Sequence, residues 1–148
     1  MVIASSWLQN IIAIKEACGD LDQVVQIIKN RPAKFLVLSG DDSLIIPHIS
    51  LGGDGIISVV ANAFPKEFSA IAKFCFHGDY NKARLIHYAL VDLIYMMFEE
   101  GNPVGVKAVC KYLGLMQNEV RLPLAPISDG LYRRLAEAMD AIKALNVA

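Results

Sequence analysis

Lys15 is the residue in this chain whose setting most invites chemistry. It closes the apolar run Ile11-Ile12-Ala13-Ile14 and is followed by Glu16, Ala17, Cys18 and Gly19. The run reads as a buried β-strand that delivers one lysine at its carboxyl end. Apolar neighbours disfavour the ammonium form and lower its pKa, which turns an inert side chain into an amine nucleophile. A bland reading stands beside this one: the strand simply stops and its lysine enters solvent. On residue type alone the bland reading is the commoner, because perturbed lysines are rare and gather at functional sites.

The other candidates are weaker. Asp41 and Asp42 have the composition of a metal site or an acid/base pair, but carboxylates just ahead of a helix more often cap it or sit in its first turn. The capping reading is preferred, and no metal is assigned. His48, His77 and His87 have no ligand spacing. Cys18, Cys75 and Cys110 are odd in number and widely separated, which argues against a disulfide framework or a zinc site and makes a reducing cytoplasm the simplest setting. Cys18 lies close to Lys15 in sequence, but nothing adjacent activates it, so it reads as packing. Asn102 before Pro103 is, by chemistry alone, an ordinary turn. Lys29, Lys34, Lys73, Lys107 and Lys111 read as surface charges, and Met96-Met97-Phe98 as helix core.

The elements that must position Lys15 follow from punctuation and period. Residues up to Gln9 read as a helix tail or an irregular lead-in. After the strand Ile11 to Ala17, Asp20 is a good N-cap for a helix reaching about Asn30, with Leu21, Val24, Val25 and Ile28 on its apolar face and Pro32 closing it. Lys34 to Ser39 reads as a second buried strand. Gly40-Asp41-Asp42 turns the chain into a short helix, Ser43 to Leu51. The cluster Gly52-Gly53-Asp54-Gly55 precedes a third strand, Ile56 to Val60. Apolar strands alternating with helices imply a parallel sheet and an α/β architecture.

The remainder reads as wholly helical. A helix runs from Pro65 to about His77 and stops at Gly78, and a longer one from Asp79 to Glu99 is apolar on more than one side, which implies burial on two faces. Val104 to Leu113 forms another, stopped at Gly114. Leu122-Pro123-Leu124-Ala125-Pro126 reads as a surface loop. Ser128 or Asp129 caps a last amphipathic helix whose stripe is Leu131, Leu135, Met139, Ile142 and Leu145. Three strands cannot close a barrel, and two bare sheet edges invite pairing with another chain. The chain therefore looks like part of a (β/α)8 barrel.

Composition excludes some classes. The 148 residues suit one domain, and 14 basic against 15 acidic side chains give no basic patch for nucleic acid. The hydrophobic fraction is 55% and the mean hydropathy +0.42, both high for a soluble chain. The longest apolar stretch, Leu85 to Phe98, contains His87 and Asp92 and is too short to span a bilayer. The start of the chain lacks the features of a secretory signal. The apolar excess instead fits large subunit interfaces combined with a fold whose other half covers it.

Four segments carry a resemblance: IIAIKEACGDL, LSGDDSLIIPHISLGGDGIISVVAN, EEGNPVGVKAVCKYLGL and RLPLAPIS, in that order. Together they resemble the pyruvate-dependent class I aldolases that include the dihydrodipicolinate synthases and N-acetylneuraminate lyases. The likeness runs from about Leu8 to the C-terminus but matches only the second half of the family's sequence. The GDD turn and the GNPVGVK segment favour the synthase branch. The resemblance implies an α/β fold, the second half of a TIM (β/α)8 barrel followed by a C-terminal helical extension. Residues 1–62 would supply strands six to eight, and residues 63–148 the last barrel helix and the helical region, all in one structural domain.

The resemblance also implies roles. Lys15 matches the lysine that forms a Schiff base with pyruvate, so no separate cofactor is expected. Gly40 lies where the family's backbone approaches the aldehyde. Ile57 matches a residue whose main-chain carbonyl borders the pyruvate pocket, and Asn102 one near the mouth through which the aldehyde arrives. The implied substrates are pyruvate and aspartate semialdehyde, in lysine and diaminopimelate biosynthesis in the cytoplasm. A homo-oligomer, or pairing with the missing N-terminal half, is expected.

The family's proton-relay tyrosines and threonine, and its carboxylate-binding arginine and threonine pair, all belong to the half upstream of Met1. None of Tyr80, Tyr88, Tyr95, Tyr112 and Tyr132 sits in a matching context. Two rival readings therefore stay open: a related pyruvate aldolase of other aldehyde specificity, and a catalytically inactive half-barrel that only folds or self-associates.

Overall fold

The computed structural model describes residue 8 and residues 10–144. The lead-in expected before Gln9 and the Leu145 end of the last apolar stripe fall outside them. The chain divides into two compact units. One comprises the chain up to Ser58 together with Ala70–Ala83, the other Val59–Ser69 together with the chain from Arg84 onward.

The first unit is built on a parallel sheet of order β1-β2-β3, with β1 at Ala13–Glu16, β2 at Leu36–Ser39 and β3 at Gly55–Ile56. Lys15 pairs with Leu38 and Glu16 with Ser39; Leu38 and Ser39 pair in turn with Gly55 and Ile56. Helix α1, Leu21–Asn30, joins β1 to β2. Asp20 caps it, its carboxylate accepting from the Asp22 and Gln23 amides. A 3-10 turn, Asp42–Leu44, and helix α2, Ile45–Ser50, join β2 to β3.

One side of the sheet is covered. Ile27 of α1 packs with Phe35 and Val37, and the partly buried Ile11, Ile14 and Ile28 pack against them. The expected apolar face of α1 needs one correction: Ile27 is buried, whereas Val25 points outward at 38% exposure. The helix is phased by Phe35 and Val37, which favour the stripe through Val24 and Ile27.

The expected burial of the strands on both faces is also corrected. β1 is half-buried and β2 alternates, with Val37 and Ser39 buried and Leu36 exposed. Successive strand side chains point to opposite faces, and among the described residues only the α1 face is covered. The third strand is shorter than expected, ending at Ile56 rather than Val60. Its ladder goes no further than β2 does, and a 3-10 turn, Val60–Asn62, takes over.

An unexpected polar clamp holds β2. One Asp54 carboxylate oxygen accepts from the Val37 amide at 2.8 Å and from the Arg31 guanidinium, while the Asp54 amide donates to the Val37 carbonyl at 2.9 Å. His48, 1% exposed, sets its Nε2 3.1 Å from the same carbonyl.

Helices α3 (Pro65–Phe76) and α4 (Tyr80–Glu99) each run from one unit into the other. Gly78, at φ 76°, ends α3, and the Asp79 carboxylate caps α4 through the Lys82 amide. Burial of α4 on two faces is not what the structure shows. Ala83, His87, Leu90, Ile94 and Met97 are buried, but Leu85, Tyr88, Tyr95 and Phe98 are exposed. Phe98 is therefore not core, although Met97 is.

In the second unit, helix α5 (Val104–Tyr112) lies close against α4. A Cβ on Gly105 would sit 1.9 Å from the Met97 carbonyl oxygen, so only glycine permits the approach. The proline-bearing loop is exposed as expected, with Leu122 at 92%. Ser128 caps helix α6, Asp129–Ala144, through the Leu131 amide, and Leu131, Leu135 and Met139 are buried along it.

Candidate active site

Lys15 stands one residue before the end of β1, on the open face of the sheet. The register places Ala17, Leu38 and Ile57 on that same face, since Gly40 follows Ser39 as Ala17 follows Glu16 and Ile57 follows Ile56. Ile57 continues the pairing, its amide donating to the Ser39 carbonyl at 2.8 Å, and its side chain is 47% exposed. Three of the four expected site residues, Lys15, Gly40 and Ile57, therefore meet at the carboxyl ends of adjacent parallel strands. Asn102 belongs to the other unit, exposed in the turn that precedes α5.

Gly40 is the tightest point of the site. Its amide donates to the Glu16 carbonyl at 2.6 Å. A Cβ there would lie 2.5 Å from the Ala17 Cβ and 2.6 Å from the Lys15 Cε. The lysine stem thus crosses over the glycine backbone. The following Asp41 carboxylate accepts from the Ser43 amide and hydroxyl, at 2.9 Å and 2.8 Å, which is the capping role expected of it. Asp42 opens the 3-10 turn and is 1% exposed. Among the described residues no group of three metal-ligating side chains is present.

The desolvated Lys15 expected from its neighbours is corrected: the residue is exposed. Ile14, the large apolar side chain of β1, lies on the face away from it, and its own face carries the alanines Ala13 and Ala17 and the partly exposed Leu36, Leu38 and Ile57.

Glu16 was missed at the sequence level. It is 7% exposed, on the face opposite Lys15, and its Oε1 accepts from the Cys18 amide at 2.8 Å and the Gln23 side chain at 3.2 Å. It ties the end of β1 to α1. Strand alternation was the available signal, since the residue after an outward lysine must face the helix layer. Cys18, expected to pack, is exposed instead, and its sulfur accepts from the Gln23 side chain at 3.1 Å. A hydrogen bond to Glu16 is the chief cause holding its thiol pKa above the ordinary value.

A parallel βα sheet with a lysine at the carboxyl end of one strand is consistent with part of a (β/α)8 barrel. Comparison with known proteins makes the class specific. Residues 2–142 match the model of the dihydrodipicolinate synthetase family. The 4-hydroxy-tetrahydrodipicolinate synthase of Azobacteroides pseudotrichonymphae is 45% identical over 138 residues, which are 93% of this chain and 47% of that protein. The crystal structure of dihydrodipicolinate synthase from Aquifex aeolicus superposes with a TM-score of 0.91 at 38% identity, covering 96% of this chain and 49% of that one. The chloride-inhibited synthase of Acinetobacter baumannii, complexed with pyruvate, gives 0.88 at 32% identity, over 95% and 48% of the two chains. The chain belongs to the dihydrodipicolinate synthetase family. It spans about half the length of the curated relatives it matches. Among the described residues no helix is long and apolar enough to cross a membrane.

Proposed function

We propose that this chain carries the Schiff-base half of a 4-hydroxy-tetrahydrodipicolinate synthase, which condenses pyruvate with aspartate semialdehyde on the route to diaminopimelate and lysine in the cytoplasm. The observation that carries the reading is the crossing of Lys15 over Gly40 at the carboxyl edge of the sheet, where enzymes of the barrel fold keep their chemistry. The pyruvate in the Acinetobacter relative supports the ketone substrate.

In this reading the neutral Lys15 amine attacks the carbonyl carbon of pyruvate, water leaves, and a protonated imine remains. The imine draws electrons from C3, which loses a proton, and the resulting enamine attacks the aldehyde carbon of the second substrate. Pyruvate bound in this way is its own electron sink, and no further cofactor or metal is invoked. The Gly40 backbone borders the aldehyde, the Ile57 carbonyl the pyruvate pocket, and Asn102 the approach to it. Residues 1–62 serve as strands six to eight of the barrel. Residues 63–148 serve as its last helix and a C-terminal helical extension, in one domain.

The exposed Leu36, Ile57, Leu85 and Tyr88 favour life as an oligomer or in company with the family's N-terminal half. The exposure of Lys15 gives weight to a second reading, that the isolated chain folds or associates without turnover. Treatment with pyruvate and borohydride, followed by peptide mass analysis, separates them. A reduced adduct on Lys15 of the chain alone supports the enzyme reading. An unmodified Lys15 that gains the adduct only when a relative's N-terminal half is supplied supports the incomplete half-barrel. No adduct in either case removes Lys15 from the chemistry.

A further inference from the structure

Helix α4 carries a seam that lies outside the Lys15 site. Leu85, Tyr88, Asp92 and Tyr95 follow one another at intervals of three, four and three residues, the spacing that lines one side of a helix and seats a second helix against it. All four belong to the second unit. Leu85, Tyr88 and Tyr95 are 73%, 65% and 60% exposed, and Asp92 is exposed among them. The opposite side of the helix, through His87, Leu90, Ile94 and Met97, is the buried one. Three large apolar side chains in one exposed row form a patch of the kind that marks a contact surface.

The row also selects what can cover it. Asp92 interrupts it, and an unrelated apolar helix would bury that carboxylate without a donor. A second copy of α4 laid parallel would set Asp92 against Asp92 and Glu99 against Glu99, like charge on like. Laid antiparallel, with a two-fold axis at the level of Leu90, the row becomes its own complement. Positions 88 and 92 lie equally far to either side of that level, so each Tyr88 hydroxyl meets the Asp92 carboxylate of the other copy. Positions 85 and 95 are related in the same way, so each Leu85 meets a Tyr95 ring. The Arg84 end of one helix then overlies the Glu99 end of the other, opposite charge on opposite. A two-fold interface requires just this reciprocity, each residue facing its counterpart twice.

We propose that the outer face of α4 pairs antiparallel with α4 of a second copy of this chain, Tyr88 donating to Asp92 on both sides of the axis. The contact uses none of Lys15, Gly40 and Ile57, so it stands whether or not Lys15 forms an imine. One pair of helices covers less than the roughly 800 Å² per partner of a standard stable interface, so a weak dimer is expected, with a dissociation constant in the high micromolar range.

The test is sedimentation equilibrium of the full chain over a series from micromolar to millimolar concentration. Tyr88→Glu sets a carboxylate against each Asp92 and is expected to weaken self-association at least about tenfold. Adding Asp92→Lys is expected to restore it, because glutamate and lysine then face each other across the axis. Both positions are exposed, and circular dichroism checks that each variant is folded. Cysteine pairs give a second reading in a Cys18→Ser background. A mixture of Leu85→Cys and Tyr95→Cys chains is expected to form a mixed disulfide on oxidation. Leu85→Cys alone is not, since its two copies would lie about 15 Å apart along the helices, beyond the Cα separation of about 7 Å that a disulfide can span. A chain that stays monomeric throughout the series overturns the pairing. Self-association unchanged by Tyr88→Glu also overturns it, and is the result expected if copies meet through the open face of the sheet instead. A folded double variant that fails to regain association, or a self-linked Leu85→Cys dimer in place of the mixed one, overturns the antiparallel register.

Discussion

A Cβ on Gly40 would lie 2.6 Å from the Cε of Lys15, closer than two carbons can approach without displacement. The lysine stem could swing aside, but the Ala17 Cβ, 2.5 Å from the same point, is anchored to the backbone. Gly40→Ala must therefore strain the junction of β1 and β2. Overpacking of this kind costs about 1–3 kcal/mol. A lowered urea midpoint is expected, together with reduced borohydride trapping of pyruvate wherever the parent chain shows any. A variant of parental stability and trapping would show that the crossing is loose.

Asp54 is the hub of the clamp on β2, and its loss separates two effects. Asp54→Ala leaves the Val37 amide without its carboxylate acceptor, and an unsatisfied buried donor costs about 1–3 kcal/mol. Arg31→Ala removes the partly exposed ion pair, whose side chains are 21% and 28% exposed, and an exposed hydrogen bond to the Gly52 carbonyl, and such exposed pairs are worth about 0–1 kcal/mol. Urea unfolding is expected to rank Asp54→Ala well below Arg31→Ala. The reverse order would make the ion pair dominant.

Acid should weaken the second unit through Glu99. Both of its carboxylate oxygens accept from Arg134 at 2.8 Å, and that hydrogen bonding holds its pKa below the ordinary carboxylate value, while the Lys82 hydrogen bonds do the same for Asp79. The unfolded chain then takes up these protons at higher pH than the folded chain does. The stabilisation is complete above the unfolded carboxylate pKa and is lost as pH falls through the depressed folded value. Glu99→Gln should flatten part of the fall in urea midpoint on acidification. Both partners are exposed, so added salt should shrink the difference.

Cys18 is the exposed cysteine, whereas Cys75 and Cys110 are buried. Its thiol is nonetheless held protonated, chiefly by the hydrogen bond to Glu16, and the thiolate is the reactive form. Native alkylation should therefore modify Cys18 first, more slowly near neutral pH than an unperturbed thiol. Glu16→Gln should hasten it. Mass analysis of the alkylated peptides reads both effects.

The parts of this fold legible in sequence were those marked locally. Asp20, Gly78 and Ser128 announced their helix ends because a cap or a left-handed turn needs only neighbouring residues. The GDD turn was joined to Lys15 in the sequence only through the family resemblance, and the register of the parallel strands brings Lys15 and Gly40 together at their carboxyl ends. What sequence could not fix was set by distant contacts. Val25 and Ile27 both fit an amphipathic helix, and only the positions of Phe35 and Val37 choose between them. Leu85 and Tyr88 read as core because residue type reports apolarity and not whether anything covers it. Gly105 is indistinguishable from a loop glycine until the Met97 carbonyl is found beside it. Lys15 read as desolvated because the apolar character of β1 could not be divided between its two faces.

Among the described residues, the sheet order β1-β2-β3 gives each outer strand one partner. A newcomer joining either margin in the prevailing sense must enter at the amino ends of the strands. Beside β1, and in register with it, such a strand would bring its carboxyl end next to Lys15, with every second side chain on the lysine's face. The three strands thus act as a jig that fixes the direction of growth.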